Sequence, residues 1–209
     1  IISDVMMPGK DGITLCKELK SQIITSHIPI ILLTARTSAV FEIEGLKTGA
    51  DDYVTKPFDA KIIKARIESL LENREKLRAH LLNKVRFEPT ASEIEIDTDT
   101  ENAFIHKAIL LVEENLDNTS FGIENMVDEL YMSQSTLYRK IKSLTGLSLT
   151  AFIRSIRLKK AAHLILASDL NLNQIAYEVG FNDYKYFKTS FKKQFNCLPS
   201  KYKEIINNK

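Results

Sequence analysis

The sequence has no tryptophan and only two cysteines, Cys16 and Cys197, far apart in separate predicted domains. Thiols so placed are expected to stay reduced, which leaves no disulfide framework. The four histidines, His27, His80, His106 and His163, are scattered without ligand spacing, so no zinc site is expected. No apolar run approaches the roughly eighteen residues of a membrane span. The opening Ile1-Ile2-Ser3-Asp4 carries no basic leader and no cleavage pattern, so nothing directs export and a cytoplasmic location is expected. Hydrophobic residues at 44% and charged residues at 27% are ordinary for a soluble globular chain, and 209 residues suffice for two modest domains.

The net charge of +2 conceals a division. Residues 1–130 hold 15 Lys and Arg against 23 Asp and Glu, whereas residues 131–209 hold 14 against 4. A basic C-terminal segment on an otherwise acidic chain points to a polyanionic partner for that segment. A merely solvated basic surface is the alternative that charge alone leaves open.

The first part of the chain alternates short apolar runs with helical patterns. Ile1-Ile2-Ser3 leads to a turn at Pro8-Gly9 and an amphipathic helix from about Asp11 to Lys20. Pro29 to Thr34 reads as a buried parallel strand, a helix follows through Val40, Ile43 and Leu46 to Gly49, and Asp52 to Thr55 makes a third strand ending at Lys56-Pro57. Such alternation predicts a parallel sheet flanked by helices. A helix is expected from Asp59 to about Lys84, with Ile63, Ile67, Leu70, Leu77 and Leu81 as its apolar stripe and Arg74 in a stripe position. Its second half is a candidate for a coiled coil with a second copy. The acidic, hydroxyl-rich and aperiodic residues 87–102 read as a linker.

After Ala103 the pattern is helical and contains an internal repeat. Ile123, Met126, Val127 and Leu130 correspond to Leu172, Ile175, Ala176 and Val179 at an offset of 49. Leu137, Ile141 and the 146–152 stretch correspond to Phe187, Phe191 and 196–202 at an offset of 50, so one residue slips at a turn.

Each copy comprises a short apolar helix, a break, and a second helix beginning with polar residues. The first break is Tyr131-Met132, with Ser133 as N-cap; the second is Gly180-Phe181, with Asn182 or Asp183 as cap. In the helix over 134–145, Leu137, Ile141 and Leu144 face inward, leaving Gln134, Ser135, Tyr138, Arg139 and Lys142 outward. In the helix over 184–195, Phe187, Phe191 and Phe195 face inward, leaving Lys185, Lys188, Thr189 and Lys192 outward. This layout suits a reader of double-stranded DNA: a helix fits the major groove, its first turn reaches base edges, and lysines neutralise phosphates. The helical pattern from Leu149 to Ser168 is roughly 30 Å long, close to the ~34 Å between successive major-groove faces. Arg154, Arg157, Lys159 and Lys160 on it are candidate backbone contacts or solvated surface residues. Tyr177, Phe181, Tyr186 and Phe187 are expected to pack in the core.

The stretch from Met132-Ser-Gln-Ser-Thr-Leu-Tyr-Arg-Lys-Ile-Lys to Gly146, then Phe152 to Leu158, Ile175 to Phe181, Tyr186-Phe187 and Pro199 to Tyr202, closely resembles the AraC family of bacterial activators. The resemblance covers about 103–202. It implies base readout by Ser135, Tyr138 and Arg139 in the first unit and by Lys185, Lys188 and Thr189 in the second. Thr189 stands where that family often has arginine, so readout is expected to be weaker there, with Lys188 mainly a phosphate contact.

In the N-terminal part, Asp4, Thr34 and Lys56 each end a strand, and in a parallel sheet those ends share the edge where ligands bind. A carboxylate, a hydroxyl and an ammonium suit a phosphoaspartate: Asp4 as nucleophile, with Thr34 and Lys56 on the phosphoryl oxygens. Residues 1–82 resemble the receiver domains of response regulators. The resemblance implies that Asp4 is the phosphoacceptor, Thr34 the switch hydroxyl and Tyr53 an aromatic that reorients. It further implies a cis bond between Lys56 and Pro57, and a Met6 carbonyl offered to Mg²⁺ beside Asp4. The chain departs from that pattern because it begins at the third strand of a receiver, without the acidic pair that completes the Mg²⁺ site. Asp4 and one carbonyl are too few ligands, so this chain is expected to hold no Mg²⁺ and to phosphorylate poorly. An exposed sheet edge is expected at Ile1-Ile2-Ser3.

The fold class expected is α/β plus all-α: a partial receiver over 1–82, a linker over 83–102, and a double helix-turn-helix domain over 103–209. The function expected is transcription regulation in a phosphorelay, with double-stranded DNA, a histidine kinase and RNA polymerase as partners and a homodimer as the activated form. The alternative is a protein-interaction or phosphate-sink module with vestigial DNA binding. No enzyme is expected, since no catalytic constellation stands beyond the phosphoacceptor edge.

Overall fold

The computed structural model describes residues 1–22, 24–35, 49–87 and 100–207. They form two compact units, Ile1–Leu77 and Arg78–Lys209. In the first, β1 (Ile2–Asp4), β2 (Ile31–Thr34) and β3 (Asp52–Thr55) make a parallel sheet in the order β1-β2-β3. The register sets Asp4 beside Leu33 and Thr34 beside Thr55, which brings the three C-terminal strand ends to one edge. Helix α1 (Gly12–Ser21) is capped by Asp11, whose carboxylate accepts from the Thr14 N–H at 2.6 Å. Gly12 is dictated by packing: a Cβ there would lie 2.2 Å from the Asp4 carbonyl oxygen. Cys16, Ile30 and Leu32 form the core, with Ile13, Leu19 and Tyr53 packed against them. The helix expected through Val40, Ile43 and Leu46 lies outside the described residues. At the edge strand β1, Ile1 and Ile2 are half-exposed while Ser3 is buried.

Helix α2 (Ala60–Arg86) runs two residues past its predicted end. In the first unit Arg66 pairs with Asp52 at 2.6 Å. Arg74 reaches Asp51 at 3.4 Å, the same carboxylate that Lys20 holds at 2.6 Å. The stripe position that would have faced a second helix is therefore used within the unit. Leu81, another stripe residue, is fully buried in the second unit with Val85. The coiled coil expected along this stripe thus has two of its contact positions already occupied. Residues 83–86, placed in a linker by the sequence, are the helix's last turn, and residues 88–99 lie outside the described residues.

The second unit adds α3 (Thr100–Glu113), α4 (Ile123–Glu129), α5 (Gln134–Thr145), α6 (Leu149–Ala167), α7 (Leu172–Glu178), α8 (Tyr184–Phe195) and α9 (Pro199–Asn207). Helix α6 is its axis, packing against α3, α5, α7, α8 and α9. Side-chain caps start the helices: Ser133 for α5, Ser148 for α6, Asp183 for α8, and Asn171 for α7 in a reciprocal box with Gln174. Asp183, rather than Asn182, takes the capping role, accepting from the Tyr186 N–H at 2.5 Å. Asn182 is the extra residue that accounts for the slip in the repeat. Phe187 and Phe191 are fully buried and continue through Phe195 and Tyr202 in a ladder of ring contacts 4.5–5.7 Å apart. Each such buried ring contributes on the order of 2 kcal/mol by leaving water.

Candidate nucleic-acid interface and phosphoacceptor edge

The same turn joins the two helices of each repeat. After α4, the Met132 N–H donates to the Val127 carbonyl at 3.1 Å; after α7, the Phe181 N–H donates to the Ala176 carbonyl at 2.9 Å. Both turns place the intervening residue in left-handed backbone, Tyr131 at φ 52 and Gly180 at φ 81. Glycine adopts this conformation freely, whereas a residue with a Cβ is destabilised there by about 1–2 kcal/mol. At Gly180 there is a second constraint, since a Cβ would fall 2.6 Å from the Leu116 carbonyl oxygen and 2.7 Å from the Arg157 guanidinium carbon.

Amphipathic spacing buries Leu137, Ile141 and Leu144 of α5 and leaves Gln134, Ser135, Tyr138, Arg139 and Lys142 exposed. In α8 it buries Phe187 and Phe191 and leaves Lys185, Lys188, Thr189 and Lys192 exposed. Three of these side chains also touch their own helix. Arg139 Nε donates to the Ser135 carbonyl at 3.3 Å, Thr189 Oγ1 to the Lys185 carbonyl at 2.9 Å, and Lys142 Nζ to the Gly146 carbonyl at 2.8 Å. Lys142 thus serves the C-terminal end of α5, where a cation favours the helix dipole. Lys140, one residue before Ile141, is turned fully inward with its ammonium 4.7 Å from the centre of the Phe104 ring.

The expected backbone contacts along α6 are corrected in two cases. Lys159 is buried and paired with Glu113 at 3.0 Å, so it offers no free cation to a polyanion. Arg157 is half-buried, and burial pushes its guanidinium down from its ordinary value. It donates to the carbonyls of Gly180 at 3.0 Å, Asn118 at 3.0 Å and Phe121 at 3.3 Å. It therefore fastens the loop before α4 to the turn of the second repeat through three carbonyl acceptors that lie 23 to 39 residues away in the chain. Arg154 donates to the Tyr186 hydroxyl at 2.6 Å on the wall of an open cleft of about 560 Å³. Tyr186 and Tyr177 are more than half exposed, contrary to the expected core role; Phe181 and Phe187 are buried as expected. The inward stripe of α8 is set by Phe187, Phe191 and Phe195, so Tyr186 falls outside it.

At the sheet edge of the first unit, Asp4, Thr34 and Lys56 converge. The Lys56 ammonium pairs with Asp4 Oδ2, and the Met6 N–H donates to Oδ1 at 3.2 Å. The Lys56 contact first and the Met6 N–H second hold the Asp4 carboxyl below its ordinary value. The Lys56 N–H donates to the Thr34 carbonyl at 2.7 Å, and the Lys56–Pro57 bond is cis. Thr34 is buried. Tyr53 packs toward the Cys16, Ile30 and Leu32 cluster. Among the described residues no group of three or more His, Cys, Asp or Glu is placed to hold a metal. Mg²⁺ demands near-octahedral oxygen coordination, and among the described residues Asp4, already engaged by Lys56, is the one carboxylate placed at this edge, so those residues by themselves do not fit the ion.

Residues 1–68 match the response regulator receiver domain family, and residues 126–205 match a helix-turn-helix domain family. Over 170 residues the chain is 34% identical to the transcriptional regulatory protein SpaR of Bacillus subtilis, a span of 78% of this chain and 71% of SpaR. The chain belongs to the response regulators. The helix-turn-helix match spans the turns of both repeats. The chain is also 45% identical over 202 residues to histidine kinase P4 of Formosa agariphila, which covers 97% of this chain but 14% of that protein. Among solved structures, the C-terminal domain of AraT, a response regulator from Geobacillus stearothermophilus, is 28% identical, with a TM-score of 0.46 over 51% of this chain and 88% of that one. The chain thus spans a small part of the first curated relatives it matches, 14% of histidine kinase P4 and 15% of PleD of Caulobacter vibrioides.

Proposed function

We propose that this response regulator segment binds double-stranded DNA through α5 and α8, and that phosphorylation of Asp4 in a phosphorelay controls that binding where the receiver's Mg²⁺ site is complete. The observation that carries the reading is the repeat. Two units with the same turn each present a polar helix face, and Ser135, Tyr138, Arg139, Lys185, Lys188 and Thr189 are exposed on it. Arg139 and the first turn of α5 supply base readout, Lys185 and Thr189 of α8 supply a weaker readout, and Lys188 and Lys192 supply phosphate contacts, with Gln134 and Lys142 flanking. Helix α6, 19 residues and so about 29 Å long, matches the span between adjacent major grooves.

In the first unit Asp4 is the nucleophile toward a phosphoryl donor, and Lys56 is the cation that meets the phosphoryl oxygens once the carboxylate is esterified. Thr34 and Tyr53 respond to the added charge. A histidine kinase is the donor, in keeping with the match to histidine kinase P4, and the site of action is the cytoplasm. Homodimers on repeated half-sites and contact with RNA polymerase complete the reading; the segment itself catalyses no metabolic reaction. The test is a mobility shift of genomic fragments by the purified chain from 50 to 200 mM salt. The reading expects selective retention that weakens steeply with salt. Equal retention of every fragment would leave only a basic surface, and none would favour a protein-interaction module.

A further inference from the structure

Tyr131 breaks the symmetry of the two repeats. The position that the second repeat fills with Gly180 at φ 81 is filled in the first by a tyrosine at φ 52. Its ring is 91% exposed, the highest among the exposed large hydrophobic residues. Among the described residues, therefore, no packing on the ring compensates for holding a Cβ in left-handed backbone, and the chain keeps there a residue that costs stability. Strain that the fold does not need is a mark of function. The crowding that forbids a side chain at Gly180, from Leu116 and Arg157, is peculiar to the second repeat, so only the first is free to carry one.

We infer that Tyr131 is a further DNA contact, laying its ring on the sugar-phosphate backbone and donating its hydroxyl to a phosphate oxygen beside the first half-site. The inference rests on the DNA-binding reading and extends it. Tyr131 lies two residues before Ser133, the cap of α5, hence within about 7 Å of it along the chain. That places it at the entry of the helix whose first turn the DNA reading assigns to the bases. Its exposed neighbours in sequence are Asp128, Glu129, Ser133 and Gln134, all polar, which does not suit an apolar protein partner.

The experiment uses the full chain and a duplex recovered with it from a random pool, and compares Tyr131→Gly, Tyr131→Phe and Arg139→Ala. Tyr131→Gly is expected to raise the thermal midpoint, because the strain is relieved, and to weaken binding about tenfold on matched and mismatched duplexes alike. Tyr131→Phe is expected to lose about threefold, with the slope of affinity against salt unchanged, since a neutral donor releases no counterion. Binding by Tyr131→Gly as tight as the parent would overturn the inference and leave the ring to a protein partner. A lowered midpoint would overturn it too, by making Tyr131 structural, and loss on the matched sequence alone would make it a base reader instead. Arg139→Ala separates the two levels. If it weakens binding while Tyr131→Gly does not, only the inference falls; if the parent binds no duplex selectively, the DNA reading falls first.

Discussion

The Arg157 guanidinium donates to the Gly180 carbonyl at 3.0 Å, and the same guanidinium lies 2.7 Å from where a Cβ on Gly180 would stand. The two residues are thus mutually fitted: the arginine satisfies the turn, and the turn must be glycine for the arginine to approach.

Two substitutions test that fit. Arg157→Lys is expected to destabilise the second unit by about 1–3 kcal/mol in chemical denaturation, because an ammonium cannot reproduce the planar fork that serves Gly180, Asn118 and Phe121 together. Gly180→Ala is expected to cost more than Gly9→Ala in their respective units. Both have φ 81, but nothing lies within 4 Å of a Cβ at Gly9. Equal costs would show that backbone conformation alone matters at Gly180.

The buried pair of Lys159 and Glu113 gives a different expectation. Their side chains are 9% and 8% exposed, and one Glu113 carboxylate oxygen has no hydrogen-bond partner. Lys159→Met alone is expected to destabilise by about 3–5 kcal/mol, since it strands a buried carboxylate. Adding Glu113→Leu is expected to restore most of the loss, because desolvation of the pair is only partly offset in the parent. Urea midpoints of the single and double variants decide this; a double variant weaker than the single would contradict it.

Asp4 is held below its ordinary carboxylate value chiefly by Lys56. A depressed carboxyl contributes its stability above the unfolded pKa of about 3.9, and that contribution is lost as pH falls through the lower folded value. Lys56→Met is therefore expected to move the Asp4 titration, followed by carboxyl carbon NMR, upward toward the ordinary value. An unmoved titration would mean that the ion pair is absent in solution.

For phosphorylation the donor set decides. With Asp4 as the one carboxylate placed at the edge among the described residues, the 209-residue chain is expected to incorporate little phosphate from acetyl phosphate with Mg²⁺. Strong incorporation abolished by Asp4→Asn would show that the edge holds the ion with fewer protein oxygens than expected.

Much of this was legible because it is local. The caps Ser133 and Asn171 act within three residues of themselves, and the spacing of Leu137, Ile141, Phe187 and Phe191 fixes which faces turn inward. The strand ends at Asp4, Thr34 and Lys56 could be paired because parallel strands leave only one edge for them. Arg157 and Lys159 are illegible for the opposite reason: their partners Asn118, Gly180 and Glu113 are 23 to 46 residues away, where no periodicity reports contact. The tyrosine at Tyr131 was readable in principle, since aligning the repeats at an offset of 49 sets it against Gly180.

The most direct test of the account is selection of bound duplexes from a random pool by the parent chain, repeated with Arg139→Ala and with Lys188→Ala. Two short motifs centred about 10–10.5 base pairs apart are expected, the first relaxed by Arg139→Ala and overall affinity, rather than sequence, reduced by Lys188→Ala. A single uninterrupted motif unaffected by Arg139→Ala, or no enrichment at all, would contradict two reading helices acting on one duplex.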